Sequence, residues 1–496
     1  MTSLSSRLQQ LSPERLKLLI DQMKAKGMSE LDLPIYSIAR NSTIPLSYAQ
    51  ERLWIVEQLD PGNPGYHISV PLRLEGRFHV DALLDAMTKI IFRHEALRTT
   101  FPSKEGIPVQ IVHPPSPARI EMVDLTQYNV DERLAVALEL ASAQAIKAFD
   151  LTAGPLYRLW MAKLESEDHI LVVTIHHIIA DNWSMGILIK ELEENYVGFL
   201  NGIASNVSDL PIQYADFSAW QRSVLFRRTM DNQIAYWKNK LKGIQAPIHI
   251  PSDFHHQALT SFNGARKIFT VDCHSISSLR NITSSKGATL FMGVLSTYAL
   301  VLNRFSGAEN IIIGVDVAGR NRPEIELLFG FFVNQLVIPV KINETSSYCE
   351  LVEQVRESCI EAYENQDVPF QNVVEAVQKQ RGNDRTPLFE VKLVYLDFPM
   401  NKGPNFPGIK TTVLALKTTN RFRLELICWE SESGLECMLE YNADLYNDET
   451  IENFKDCLLR TIISITTFPE GLFSSVLLDN NTTTKRTRVI IDDFEF

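Results

Sequence analysis

The feature that most constrains the fold is an apolar strand that continues through a short loop into a long amphipathic helix. Residues 171–184 read LVVTIHHIIADNWS, and residues 185–200 place apolar side chains at helical spacing. Alternate side chains of a strand face opposite sides of the sheet. One predicted face carries Leu171, Val173, Ile175 and His177, and the other carries Val172, Thr174 and His176. The segment therefore predicts a β-strand that delivers a histidine pair to the start of a helix.

The length of the chain and the recurrence of this pattern predict two lobes. At about 150 residues per domain, 496 residues correspond to about three ordinary domains or two large ones. Mixed helix and strand signals begin near residue 46, with a helix predicted at Val80–His94. They recur in a helix at Leu290–Phe305, a strand at Asn310–Val315 and further elements at 389–459. We therefore expect an α/β protein with two lobes of similar size.

The composition excludes several classes of function. The chain carries 48 basic and 60 acidic residues, a formal net charge of −12, which disfavours non-specific binding to nucleic acid or anionic membranes. It has no apolar run of the roughly 18 residues needed to cross a membrane, and no signal-peptide core at its start. Its six cysteines begin at Cys273 and form no CxxC pair, which argues against a disulfide framework or a zinc site. We expect a soluble cytoplasmic protein.

The histidine pair and Asp181 are the candidate chemical groups. Because neighbouring strand residues point to opposite faces, His176 and His177 are poorly placed to share one metal ion, and no HExxH pattern accompanies them. Neutral imidazole has one donor and one acceptor nitrogen and titrates near neutral pH, which suits proton transfer. Asp181 lies at the junction of loop and helix, where it can cap the helix or bind an arginine. The alternative is a buried histidine pair beside a capping aspartate, without catalytic function.

Seven short motifs follow one another along the chain. They read SYAQERLW (47–54), RHEALRTTF (93–101), HHIIAD (176–181), YADFSAW (214–220), IGVDVAGR (313–320) with GFFVNQ (330–335), NQDVPF (365–370) and RTPLF (385–389). In this order they resemble the motifs of the condensation domains of nonribosomal peptide synthetases, in the chloramphenicol-acetyltransferase-like superfamily. The histidine motif matches HHxxxDG except that Asn182 replaces the glycine.

This resemblance implies an α+β fold of two acetyltransferase-like lobes, arranged as a V-shaped pseudo-dimer with a central tunnel. We assign residues 46–222 to the first lobe and residues 223–479 to the second. Residues 1–45, with a predicted helix at Leu11–Met23, are assigned to a linker or docking element. Residues 480–496 are assigned to a flexible tail that either begins a linker or docks onto the next protein of an assembly.

The resemblance also implies a reaction. Condensation domains transfer an acyl or peptidyl group from a carrier-protein thioester to the amine of a carrier-bound aminoacyl acceptor. The substrates arrive on phosphopantetheine arms, and the enzyme itself binds no cofactor or metal. The expected partners are donor and acceptor carrier proteins and adenylation–carrier modules, and the chain itself is expected to be a monomer.

The resemblance assigns a role to each residue of the histidine motif. His177 becomes the active-site histidine, which accepts the amine proton or holds the amine for attack. His176 becomes a buried scaffold residue. Asp181 is expected to hold the loop through an arginine, with Arg320 as the first candidate partner and Arg98 as the second.

Three further residues are expected to support the active site, namely Asn182, Ser184 and Asn334. A glycine at position 182 would permit positive φ and would place its backbone N–H near the developing oxyanion. Asparagine is the next most tolerant residue of left-handed geometry, so we expect an active enzyme with a changed acceptor pocket.

Two other functions stay open at this point. A free-standing acyltransferase would form an ester or amide on a soluble alcohol or amine. A non-catalytic platform would bind carrier proteins without chemistry, and the presence of both His176 and His177 argues against it.

Overall fold

The computed structural model describes residue 22 and residues 35–473. Within that span it leaves out 42, 204–208, 244–247, 249, 255–262, 381–386, 397–402, 417 and 420–421. The helix predicted at Leu11–Met23 lies, apart from Gln22, outside the described residues, and so does the tail at 480–496.

The first half of the described chain alternates strands and helices. In chain order it forms β1 (Ile44–Pro45), α1 (Tyr48–Leu59), β2 (His67–Glu75), α2 (Val80–Arg93), β3 (Thr99–Thr100), β4 (Ser103–Lys104), β5 (Ile107–Val112), β6 (Glu121–Asp124), α3 (Val130–Ile146), β7 (Tyr157–Glu165), β8 (Asp168–His176), α4 (Asn182–Leu200), α5 (Tyr214–Gln221) and α6 (Val224–Lys240).

The second half continues in the same manner. It forms β9 (Asn263–Asp272), α7 (Cys273–Ser285), α8 (Leu290–Ser306), β10 (Asn310–Val317), β11 (Asn334–Lys341), α9 (Tyr348–Glu364), α10 (Phe370–Gln380), β12 (Val391–Leu396), β13 (Lys410–Val413), β14 (Thr418–Thr419), β15 (Leu424–Ser431), β16 (Gly434–Asn442) and α11 (Asp448–Thr467). The helices predicted at Val80–His94 and Leu290–Phe305 are confirmed to within one residue at each end.

A five-stranded sheet in the order β13–β2–β8–β7–β6 organises the first lobe. The strand predicted to end in the histidine pair is the central β8, and its aliphatic residues alternate as expected. Leu171, Val173 and Ile175 join a core packed by α2 and α4. Val172 joins a smaller core on the opposite face, against Ala137 and Ala141 of α3. Helices therefore cover both faces of the strand that carries the histidines.

A seven-stranded sheet in the order β11–β10–β12–β15–β16–β9–β14 organises the second lobe. One large core joins this sheet to α7, α8, α9 and α11, and α8 is its most buried helix. Among the described residues, no single helix is long and apolar enough to cross a membrane. The bent pair α7 and α8, which meet at 104°, passes that test only when the two are taken together.

The two sheets repeat one connection pattern. In the first lobe, β2 leads into α2, and the β7–β8 hairpin leads into α4. In the second, β9 leads into α7, and the β15–β16 hairpin leads into α11. The predicted α/β fold with two lobes is confirmed by this repetition.

Two stretches inside the predicted range 223–479 belong structurally to the first lobe. Strand β13 pairs antiparallel with β2, at the edge of the first sheet, and the chain then returns within a few residues to the second sheet as β14. Residues 318–333, here called the interlobe loop, leave β10 and place several aromatic and aliphatic side chains in the first core. The lobes are therefore interlocked, although their sequence ranges are consecutive.

The interlobe loop offers a matched test of this interlock. Phe329 is 2% exposed within the first core, whereas Leu327, two residues earlier, is 59% exposed. We expect Phe329→Ala to lower the free energy of unfolding by about 3–5 kcal/mol, because it leaves a cavity in a packed core. Leu327→Ala is expected to change it by less than about 0.5 kcal/mol. Urea unfolding of both variants measures the difference, and similar losses would contradict the assignment of this loop to the first core.

Candidate active site

The histidine motif forms a tight turn between a strand and a helix. Strand β8 ends at His176, residues His177–Ile179 make one 3-10 turn, and α4 starts at Asn182. The turn is closed by the backbone N–H of Ala180, which donates to the carbonyl oxygen of His177 at 3.2 Å. The turn and the aspartate that follows it are almost entirely buried, and His177 is half-buried.

The backbone fixes the tautomer of His177. Its Nδ1 lies 3.1 Å from the carbonyl oxygen of Ala180. Since a carbonyl oxygen only accepts hydrogen bonds, Nδ1 must carry the proton in this contact. In the neutral ring Nε2 is then the basic nitrogen. The ring lies beside Phe331 of the interlobe loop, with 5.7 Å between ring centroids.

His176 carries the opposite tautomer. It is 2% exposed, and its Nδ1 accepts the backbone N–H of Ile178 at 3.0 Å, which places its own proton on Nε2. Its ring packs against His67 and Phe149. Burial, followed by the charge of His67, lowers the pKa of His176 to about 3. The ring therefore stays neutral at physiological pH.

Asp181 connects the start of α4 to the interlobe loop. Its carboxylate is fully buried. Oδ1 accepts the backbone N–H of Ser184 at 2.8 Å, which caps the helix, and Oδ2 accepts the backbone N–H of Phe332 at 3.0 Å. Asp181 therefore fills both predicted roles, because it caps α4 and also forms an ion pair with an arginine.

Arg320 is the arginine that pairs with Asp181. Its Nη2 donates to Oδ1 at 3.1 Å, and its Nη1 donates to the carbonyl oxygens of Ile325 and Leu328. Burial lowers the pKa of the guanidinium from its ordinary value, while Asp181 acts to raise it. The other candidate, Arg98, instead donates to the carbonyl oxygen of His113 at 2.7 Å.

The supporting residues fall into two groups. The hydroxyl of Ser184 lies 2.7 Å from Asp181 Oδ1 and 2.8 Å from the carbonyl oxygen of Gly330, inside the buried cluster. Asn334 lies elsewhere, where its amide donates to the carbonyl oxygens of Gln366 and Val368. Asn334 therefore holds β11 against the loop before α10, and no contact described for it reaches the histidine turn.

The conformational reason given for Asn182 is wrong. Asn182 is the first residue of α4, in right-handed helical geometry, and Glu105 is the one non-glycine residue with positive φ in the described part of the chain. A glycine is therefore not needed at position 182 for its backbone freedom. The Asn182 side chain is half-buried beside the turn, so its effect is confined to space and polarity.

Sequence reasoning missed two polar residues that hold the site. Gln50 of α1 donates to the carbonyl oxygen of Ile178 at 3.2 Å. Tyr214 of α5 donates to the carbonyl oxygen of Phe331 at 2.5 Å and lies 2.8 Å from the hydroxyl of Ser47. The signal was present, because both lie inside matched motifs, but a motif does not name the partner of each of its residues.

Gly330 shows why the interlobe loop and α5 can approach so closely. A Cβ at this position would overlap the ring of Tyr214.

Among the described residues, no group of three or more histidine, cysteine, aspartate or glutamate side chains could hold a metal ion.

Breaking the buried ion pair is expected to be costly. Arg320→Met would leave the Asp181 carboxylate buried without its cation, and we expect the free energy of unfolding to fall by about 3–5 kcal/mol. Arg280→Met is the control, because the Arg280–Glu430 pair is about half exposed on both sides and should contribute about 1 kcal/mol or less. Urea denaturation measures the free energy of unfolding of both variants. Equal decreases would show that the buried pair stabilises the protein no more than an exposed pair does.

The neutral state of His176 predicts how stability depends on pH. A histidine that titrates near 3 when folded and near 6.5 when unfolded contributes stability that is fully present above pH 6.5. That contribution is lost as the pH falls toward 3, by about 2 kcal/mol at pH 5. His176→Asn keeps an acceptor for the N–H of Ile178 and removes the titration.

We therefore expect the urea midpoint of His176→Asn to fall less than that of the wild type between pH 6.5 and pH 5. His274→Asn, at an exposed position of α7, is the control and should follow the wild type. Parallel pH dependence for wild type and His176→Asn would mean that His176 is not held neutral.

Comparison with known proteins now places the chain in a family. The family model of the condensation domain matches residues 40–486. A linear gramicidin synthase of Brevibacillus parabrevis is 36% identical over 92% of this chain, which covers 6% of that protein. A phosphinothricin tripeptide synthetase of Streptomyces viridochromogenes is 33% identical over 95% of this chain, which covers 43% of that protein. The chain thus spans less than half the length of these relatives.

Solved structures share the fold. The X-domain from teicoplanin biosynthesis superposes with a TM-score of 0.78 at 26% identity, over 89% of this chain and 99% of that one. The first condensation domain of the calcium-dependent antibiotic synthetase, at 18% identity and a TM-score of 0.73, shares the fold over 88% of this chain and 99% of that one. The fold is thus the chloramphenicol-acetyltransferase-like pseudo-dimer of two lobes. This chain belongs to the condensation-domain family of nonribosomal peptide synthetases.

Proposed function

We propose that this chain transfers an acyl or peptidyl group from a carrier-protein thioester to the amine of a carrier-bound aminoacyl acceptor. The observation that carries the proposal is the state of His177. Its Nδ1 proton is donated to the carbonyl oxygen of Ala180, so Nε2 is the basic nitrogen of the neutral ring. The turn that holds it is anchored by a buried aspartate and arginine. Such rigid support of one imidazole suits a catalytic residue.

The reaction needs one proton to move. The amine nitrogen bonds to the carbonyl carbon of the thioester, the carbon–sulfur bond breaks, and the donor arm leaves as a thiol. The proton that the amine loses is the proton that the leaving sulfur gains. A neutral His177 with a basic Nε2 either accepts that proton or receives a hydrogen bond from the amine and holds it for attack.

The two roles of His177 differ in expected magnitude. General-base catalysis typically contributes about 10²–10⁴-fold to the rate. Holding two tethered reactants together contributes separately through proximity, and this part survives the loss of His177. Loss of the histidine should therefore leave a measurable residual rate.

Asp181 and Arg320 act on the protein and not on the substrate. All contacts of the Asp181 carboxylate described above go to Ser184, Phe332 and Arg320. The Nη1 of Arg320 donates to the carbonyl oxygens of Ile325 and Leu328 in the interlobe loop. We therefore assign both residues to positioning the turn and joining the lobes.

The proposed substrates reach the site on phosphopantetheine arms of partner carrier proteins, supplied by adenylation–carrier modules. This part rests on the family and on relatives that are themselves named synthases and synthetases. The chain covers a minor part of each of those relatives, so the identity of its carriers is part of the proposal. The enzyme is proposed to work without a metal or bound cofactor.

A second candidate function is a protein-binding platform without chemistry. The observation that favours it is a solved complex of the X-domain and OxyB from teicoplanin biosynthesis, whose X-domain is 27% identical to this chain. The same fold thus binds a partner protein in that case. A third candidate, acyl transfer to a soluble alcohol or amine, shares the chemistry proposed here but differs in the acceptor.

One assay separates these functions. An acyl-carrier thioester is incubated with the protein and with either a carrier-bound aminoacyl acceptor or a free nucleophile, and the products are identified by mass spectrometry. We expect an amide on the acceptor carrier, and we expect His177→Ala to reduce its rate about 10²–10⁴-fold. Product with the free nucleophile alone would establish the soluble-acceptor reaction instead.

His113→Ala is the matched control, because His113 lies at the surface of the first lobe and contacts Thr100. It should keep the wild-type rate. No product with any acceptor would favour the binding platform. A product rate that is unchanged in His177→Ala would show that the histidine does not contribute to the reaction.

A further inference from the structure

We propose that Gln50 is a positioning residue for His177, an inference that rests on the proposed function. Gln50 belongs to α1 and lies 128 residues before Ile178, whose carbonyl oxygen it binds. It does not itself belong to the histidine motif. Its side-chain amide would fix the position of the turn that carries the His177 ring.

The oxygen and the nitrogen of the Gln50 amide each form a hydrogen bond. The backbone N–H of Ser47 donates to its Oε1 at 3.1 Å, and its Nε2 donates to the carbonyl oxygen of Ile178 at 3.2 Å. Because a backbone N–H requires an acceptor, the first contact determines which end of the amide faces the turn. Gln50 is 1% exposed, so water does not replace either contact.

The peptide groups on either side of Ile178 are held between two side chains. Its N–H donates to Nδ1 of His176, and its carbonyl oxygen accepts from Gln50. Ile178 is fully buried, and a buried backbone carbonyl without a partner is costly. The two contacts thus fix the centre of the His177–Ile179 turn.

Fixing this turn fixes the direction of the His177 ring. The ring is bound at Nδ1 to Ala180, which is two residues beyond Ile178, so a shift of the turn moves both ends of that hydrogen bond. Displacement of a reacting group by about 1 Å costs up to about 10²-fold in rate. Loss of the Gln50 contact should therefore lower kcat while the affinity for substrates changes little.

Gln50→Met tests the inference, because methionine fills similar space but has no donor for the carbonyl oxygen of Ile178. The matched control is Glu350→Met, since Glu350 occupies the same capping position in α9, where it accepts the N–H of Ser347 at 2.9 Å, and it is exposed. Both variants lose one capping contact, and only the first loses the contact to the turn. We expect kcat to fall about 10–100-fold in Gln50→Met with KM within about threefold of the wild type. Glu350→Met should keep the wild-type kcat.

A double variant shows whether Gln50 acts through His177. If it does, His177→Ala combined with Gln50→Met should be no slower than His177→Ala alone, because the residue to be positioned is gone. Losses that multiply, or a kcat of Gln50→Met within about twofold of the wild type, would overturn the inference.

A spectroscopic measurement separates this inference from the proposed function. In ¹⁵N-histidine-labelled protein, the long-range ¹H–¹⁵N correlations of His177 should show the Nδ1–H tautomer in the wild type and a mixture of tautomers in Gln50→Met. This readout does not require turnover, so it holds even if the wild type forms no product with carrier substrates. Identical His177 signals in both proteins would overturn the positioning role.

Discussion

The structure of the site depends on one buried carboxylate. Asp181 accepts the backbone N–H of Ser184 in the first turn of α4, the guanidinium of Arg320 just beyond β10, and the backbone N–H of Phe332 in the interlobe loop. These three donors come from both halves of the chain. A buried carboxylate that is shielded from water needs hydrogen-bond donors and a cation. A buried guanidinium likewise needs an anion. The requirement to satisfy one charge therefore joins the histidine turn, the helix α4 that follows it and the loop that crosses between the sheets.

The adjacent histidines illustrate how backbone contacts assign chemistry to identical side chains. His176 meets a backbone donor and His177 meets a backbone acceptor, so they hold their protons on opposite nitrogens. One ring is buried against aromatic neighbours and held neutral, and the other is left half-buried with a basic nitrogen. Neither ring would serve in the place of the other. His176 thus supports the turn, and His177 is the ring to which we assign the proposed chemistry.

The sequence predicted much of the fold and part of the site. Periodicity located β8, α2 and α8, because burial on one face leaves a regular pattern of apolar residues. It did not show that β13 and the interlobe loop pack in the first lobe. An apolar pattern indicates that residues are buried, but it does not indicate in which core they are buried. Position 182 was interpreted through the glycine that it replaces, although its backbone is ordinary helix. Gln50 was missed because its partner is a backbone atom, which no side-chain pattern records.

The strand that completes the edge of the first sheet has a consequence for how the chain is made. Lys410 of β13 meets Glu75 of β2 across 335 positions of sequence. A ribosome releases residues in order, so the edge of β2 has no neighbouring strand until β13 has emerged. Asp181 likewise waits 139 residues for Arg320. The nascent first lobe thus exposes an open sheet edge and an uncompensated carboxylate, and the histidine turn can take its final shape only after Arg320 has been synthesised.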